Sequence, residues 1–288
     1  MIRTVLVGLV TGSMFSLSAL ALVLVYRATS VLNFAQGAVG MFGTFTFVGA
    51  VHAGEPAPLA LLAGLVVAGS LGLGLAFATG RLGDKRLAAT VFTLGALGFL
   101  QASGQVIFGG HPVGIRGLFP LGSVRVLDAY IGSDEVLAAA LALVLCAFVA
   151  VATARTQVGL LARAVAARPQ VAASLGVDER PVVAGSWVIS SVLATIAGIL
   201  LLTVQPSPDI SSLTLLVVQS FAAALVGRLI SLPGAIAGGL LMGLVGEATL
   251  ESTGTAGSAE AAMFIVMIAL LVAWPPRPVR GLALQEAL

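Results

Sequence analysis

Residues 182–204 read VVAGSWVISSVLATIAGILLLTV, an apolar run without a single charged residue. A helix needs about 20 such residues, at 1.5 Å each, to cross a hydrocarbon layer roughly 30 Å thick. The stretch therefore predicts a membrane-spanning helix, and AAMFIVMIALLVAW at residues 261–274 predicts another. Runs of the same kind cover Val5–Val25, Gly37–Ala53, Pro58–Thr79, Ala88–Phe108, Val136–Ala154, Leu213–Val226 and Pro233–Leu250. That makes about nine segments. The second and eighth are the least regular, and each reads either as a crossing or as a half-helix that enters without crossing. Strict apolar–polar alternation, the mark of a membrane barrel strand, is absent, so the fold class expected is all-α and polytopic, with about 8–9 transmembrane helices.

Composition agrees. The 288-residue chain is 59% hydrophobic and 9% charged, with a mean hydropathy of +1.11. A water-facing surface takes about 25% charged residues, so most of this surface must face lipid. The first run has the look of a signal peptide, with Ala19 and Ala21 mimicking a cleavage site. It continues to Val25 and is followed by Arg27, which favours a retained span.

Basic residues set an orientation. Arg27, Arg81, Lys85, Arg86, Arg155, Arg163, Arg168, Arg180, Arg228, Arg277 and Arg280 fall in alternate intervals, on one side of nine crossings; Arg3, Arg116 and Arg125 fall on the other. The positive-inside rule then places the N-terminus outside and the C-terminus in the cytoplasm. The acidic residues Glu55, Asp128, Asp134, Glu135, Asp209, Glu251 and Glu260 collect mostly outside. The net charge of +2 follows from this bias and does not imply a nucleic-acid partner.

Several chemistries are excluded. Lys85 is the only lysine and lies in GRLGDKR, without the glycine spacing or Ser/Thr of a phosphate-cradling loop, so ATP hydrolysis by this chain is ruled out. Cys146 is alone inside a span and reads as a packing residue. His52 and His111 lack metal-ligand spacing, and no nucleophile or acid–base set stands out, so no catalytic or metal site is expected. Ion-coupled transporters keep ionisable groups within their spans. Here Glu247 alone approaches that position, near the outer end of the eighth segment, where it reads as a helix-end residue or as a coupling carboxylate.

Three stretches depart from plain lipid-facing helix. In Asn33-Phe34-Ala35-Gln36-Gly37, continued by Gly40 and Gly43, two neutral hydrogen-bonding side chains precede glycines on one helical face. Asn33 reads equally as a helix cap or, with Phe34, Gln36 and Gly37, as lining of a transport path. In Ser231-Leu232-Pro233-Gly234, followed by Gly238, Gly239 and Gly243, Pro suits a first helical turn and the glycines form small-xxx-small pairs. Pro233 and Gly234 are the matching path candidates, because paired broken helices often mark such paths. The interval from Arg155 to Pro181 predicts one or two short surface helices broken at Pro169, either as a basic loop that only sets topology or as a docking segment.

These stretches, in order, resemble the permeases of branched-chain amino acid (leucine/isoleucine/valine) ABC importers. The carriers are GSMFSLSALALVLVYRATSVLNFAQGAVGMFG, LARAVAARPQVAASLGVDERPV and SLPGAIAGGLLMGLVGE. Gln36 stands where that family has histidine, and Pro169 and the lack of an acidic residue after Ala164 also depart from its pattern. The resemblance implies one transmembrane permease domain, 1–288, of the type II-like importer fold, with residues 155–181 as its cytoplasmic coupling segment. It implies a second homologous permease, two cytoplasmic ATPase subunits that carry ATP and Mg, and an extracytoplasmic binding protein. This chain would bind no cofactor. Arg163, Arg168, Gln170, Leu175 and Gly176 would contact the ATPase, and the substrate would be a branched-chain amino acid or a related small polar solute. The expected location is the bacterial inner membrane. An ATP-independent secondary transporter or channel is the alternative.

Overall fold

Helices form wherever the apolar runs stand. The computed structural model describes residues 1–83, 85–109, 122–126, 129–167, 169–205 and 209–273. In chain order they build α1 (Ile2–Thr29), α2 (Gln36–His52), α3 (Ala57–Gly80), α4 (Arg86–Phe108), β1 (Ser123–Val126), β2 (Ala129–Gly132) and α5 (Ser133–Arg155). Then come α6 (Gln157–Ala167), α7 (Pro169–Ser174), α8 (Glu179–Leu201), α9 (Ile210–Val226), α10 (Leu232–Thr253) and α11 (Ala256–Ala273). Each of the nine apolar runs has its helix. Six of them, α1, α3, α4, α5, α8 and α10, are long and apolar enough to cross a membrane unaided. Sequence analysis did not anticipate the small antiparallel hairpin β1–β2, paired Ser123 to Gly132.

Local chemistry sets the helix ends. Ser231 accepts from the Gly234 amide at the start of α10, with proline in the first turn. Asp209 caps α9 through the Ser212 amide, in a reciprocal capping box with the Ser212 side chain. At the end of α7 the Val177 amide donates to the Ala172 carbonyl. This closure requires a left-handed residue between them, which Gly176 supplies with φ of 81°.

α1 is the central post. Its residues from Val10 to Val23 are all buried, and α10, α8, α9 and α5 pack around it. α1 and α10 run antiparallel at very close range. Gly239 lies against Ser16, and Gly243 lies against the backbone of Gly8 and Gly12. The small-xxx-small pair in α10 thus meets a matching series on α1: Gly8, Gly12 and Ser16. Gly238 serves the other side of α10, where it meets the Ala223 carbonyl of α9.

The register along α1 shows that two helices start part-way down it. Gln36, the first residue of α2, is hydrogen-bonded to Ser18, about eleven residues short of the end of α1, or roughly 16 Å. Ser16 donates to the Ile236 carbonyl, early in α10. With antiparallel packing, that puts the first residue of α10 about 13 Å short of the same end. The second and eighth segments are thus recessed at one end. Arg228, expected between the seventh and eighth segments, lies half-buried in the recessed α9–α10 turn, where it and Leu229 both have positive φ. The turn is this tight because Gly227 packs directly on Ser231, Gly234 and Ala235.

Candidate functional site

The two glycine-rich stretches reach α1 at one level but on opposite faces, since residues two apart on a helix point about 200° from one another. The α2 start docks at Ser18 and the α10 start at Ser16, so both recessed helix beginnings lie at nearly the same level of the central helix. A helix N-terminus exposes unpaired amide N–H groups. Non-helical backbone at this depth needs partners from protein, because lipid supplies none.

Residues 31–35, the non-helical approach to α2, obtain their partners from neighbouring spans. The Thr93 hydroxyl of α4 donates to the Leu32 carbonyl at 2.8 Å and accepts from the Phe34 amide at 3.2 Å. The Phe34 ring rests 5.8 Å from that of Phe221 on α9. Gln36 joins three helices. Its amide nitrogen donates to the Ser18 carbonyl at 2.8 Å, and its amide oxygen accepts from the Ser190 hydroxyl of α8 at 3.2 Å. It is 1% exposed. Gly37 lies on the Thr214 carbonyl of α9, Gly40 on Ala194 of α8, and Gly43 between Thr195 and Gly64. Their shared face is real, but it meets three different helices.

Asn33 does not cap α2. The capping position is Ala35, without a side-chain bond. Asn33 is 2% exposed, and neither end of its carboxamide has a hydrogen-bond partner. Leaving such groups unpaired costs about 1–3 kcal/mol each, and native structures retain them where they serve a purpose. On α10, Pro233 is exposed and Gly234 half-buried. Serines and threonines inside apolar runs, namely Ser16, Ser18, Thr93 and Ser190, are the members that sequence analysis missed. The available signal was their position within spans, where a hydroxyl needs a partner.

The docking stretch is built as two helices with the break before Pro169. Val165 and Ala172 face inward, while Leu160 and Leu175 are 59% and 79% exposed. The exposed Arg163 turns its guanidinium to the Gly159 carbonyl of its own helix and to the Ala154 carbonyl in the last turn of α5, where a cation offsets the helix dipole. Gly176 is exposed. Arg168 and the Gln170 side chain lie outside the described residues.

Charged groups sort to the two ends. Arg27 and Arg163 are within electrostatic range of one another, and Tyr26 is within range of Arg86. At the opposite end, Arg3 is near Glu135 and Glu247, and the N-terminal ammonium contacts Glu251 at 3.2 Å. Glu247 therefore lies half-buried beside a basic residue at that end. Among the described residues, no three His, Cys, Asp or Glu side chains converge as a metal site would need.

The family described as branched-chain amino acid transport system, permease component, matches residues 4–274, almost the entire chain. The chain belongs to this family. The permease is 27% identical to the high-affinity branched-chain amino acid transport system permease protein BraD of Pseudomonas aeruginosa, over 82% of each chain. It is 26% identical to the corresponding LivH protein of Escherichia coli, over 93% of this chain and 92% of that one. It is 25% identical to a probable LivH protein of Methanocaldococcus jannaschii, over 93% and 89%. No solved structure matches the permease.

Proposed function

We propose that the permease forms half of the translocation path of an ATP-driven importer for branched-chain amino acids or a related small polar solute. The observation that carries this reading is that two glycine-rich helix starts are recessed to nearly the same level of α1, beside Ser16 and Ser18. Broken helices of this kind place N-terminal amides and free polar groups inside the membrane, where a polar solute must be handled. Asn33 supplies such a group, Phe34, Gln36 and Gly37 follow it in the chain, and Pro233 and Gly234 stand at the matching start of α10. Gln36 does so from behind, because its amide is already committed to Ser18 and Ser190. Asn33→Leu is expected to leave the amount of folded protein unchanged and to lower radiolabelled leucine uptake at least about tenfold, the equivalent of one lost polar contact of roughly 1.4 kcal/mol. Unaltered uptake would remove Asn33 from the path.

The partners follow from the same reading. The chain lacks a phosphate-cradling loop, so ATP and Mg belong to two cytoplasmic ATPase subunits. A second homologous permease closes the path, and an extracytoplasmic protein delivers the solute. The domain is one transmembrane unit, with residues 155–181 as the coupling segment. The end that carries Arg27, Arg86 and Arg163 is cytoplasmic and the Met1 end outside, in the inner membrane of a bacterial cell. Leu160 and Leu175, the most exposed apolar side chains of α6 and its sequel, are the ATPase contact that the geometry favours. Arg163 holds α6 to α5, and Arg168, Gln170 and Gly176 flank or terminate the helices. Affinity purification from the native membrane tests the whole scheme. Recovery of an ATPase is expected with the wild type and its loss with Leu160→Glu/Leu175→Glu, while membrane insertion persists. A chain that emerges intact but alone from mild detergent would favour the ATP-independent alternative, with Glu247 the first residue to test.

A further inference from the structure

Lipid tails form no hydrogen bonds, so an amide or carboxylate on the outward face of a membrane helix needs a protein or water partner. The outward faces divide on this criterion. α5 presents Leu141, Val144, Phe148 and Val151, and α3 presents Leu62, Val66, Leu73 and Phe77. The exposed hydroxyl of Ser70 on α3 donates to its own helix at the Val66 carbonyl. These faces suit lipid.

The α9–α11 face differs. A groove between the two helices is lined by Leu215, Val218, Gln219, Glu260, Met263 and Phe264. Gln219 and Glu260 are only partly buried, and neither hydrogen-bonds to a described residue. Gln219 lies about 13 Å along α9 from Ile210, too deep for a water-soluble protein docked at that end. Glu260 lies near the Met1 end of the molecule, because α11 begins beside the end of α10, which contacts Met1 and Thr4 through Glu251. The coupling helices lie at the opposite end, so an ATPase is also out of reach.

We propose that the α9–α11 groove is the seam on which a second permease chain of the same family docks, with Gln219 and Glu260 as its polar contacts. The proposal rests on the paired-permease reading given above. An amide both donates and accepts, so it complements its own counterpart across a two-fold axis, and it also satisfies a facing carboxylate. At the depth of Gln219 lipid supplies no such group, and a membrane-embedded protein surface does.

A photo-crosslinking phenylalanine placed at Gln219, at Phe264 or, as control, at Val144 on α5 tests the seam in the intact complex from native membranes. The expected result at Gln219 or Phe264 is a band near twice the 28.8 kDa of this chain, identified by peptide mass as containing a second permease. Val144 should yield lipid adducts alone. Lipid adducts at both groove positions, from complexes that still contain the ATPase, would overturn the seam and leave the importer reading standing. Adducts with the ATPase or the binding protein would also overturn it. If no ATPase and no second permease accompany the chain, the importer reading falls first and the seam with it.

Discussion

Gly243→Ala is expected to dismantle the central helix pair and leave little folded permease in the membrane. A methyl group at this position would overlap the Gly8 carbonyl and the Gly12 amide and Cα, all of them backbone. Backbone of a buried helix cannot rotate aside as a side-chain tip can, so α1 and α10 must separate. Overpacking a tight core typically costs about 1–3 kcal/mol, and a backbone clash belongs at the upper end, about 3 kcal/mol or more. Close packing of small residues is also what holds membrane helices together, since burial from water contributes nothing inside lipid. The check is thermal unfolding of the detergent-solubilised protein alongside Gly74→Ala, whose added methyl meets open space on α3. The first variant should lose most of its folded fraction and the second should match the wild type. Equal melting of both would refute the account of the α1–α10 contact.

The second large effect belongs to Gln36. Gln36→Leu removes the donor to the Ser18 carbonyl and the acceptor for Ser190 in one step, leaving buried polar groups on two helices without their partner. Interhelical hydrogen bonds in membranes contribute about 0.6–2 kcal/mol, and stranded buried groups add to the loss. About 2–3 kcal/mol of destabilisation is expected, together with loss of uptake, because the start of α2 is no longer pinned at the level of Ser18. Gln36→His is the informative companion. A neutral imidazole has one donor and one acceptor, as the tie requires, and histidine occupies this place in the motif that the sequence resembles. The histidine variant should therefore keep most of its stability and transport while the leucine variant loses both. If the two fail alike, shape rather than hydrogen bonding governs the position.

Much of this was readable from residue order, for identifiable reasons. Apolar runs such as 182–204 must be helices because no other unpaired segment satisfies its backbone within lipid. Ser231 followed by Pro233 could only open a helix, and Pro169 could only divide one. The small-xxx-small pair Gly239 and Gly243 announced a close contact. Its partner, the Gly8–Gly12–Ser16 series, is equally regular but lies more than 200 residues away in the chain, and pairing across such a distance is not encoded locally. Asn33 shows the limit from the other side. As a string it reads equally as a helix cap or as path lining, and the cap is excluded because the helix begins two residues later than that reading allows, with the amide buried and unpaired.

Length, hydropathy and charge act residue by residue, so they were enough for a polytopic helical membrane protein, the places of its helices and the intervals that carry its basic residues, while permease membership rested on the motifs and the family match. The depth at which α2 and α10 begin, the three-helix tie at Gln36 and the inward turn of Arg163 were decided only by tertiary structure. Those features depend on which helices become neighbours, and on which hydroxyls and carbonyls then come within 3 Å or so of one another.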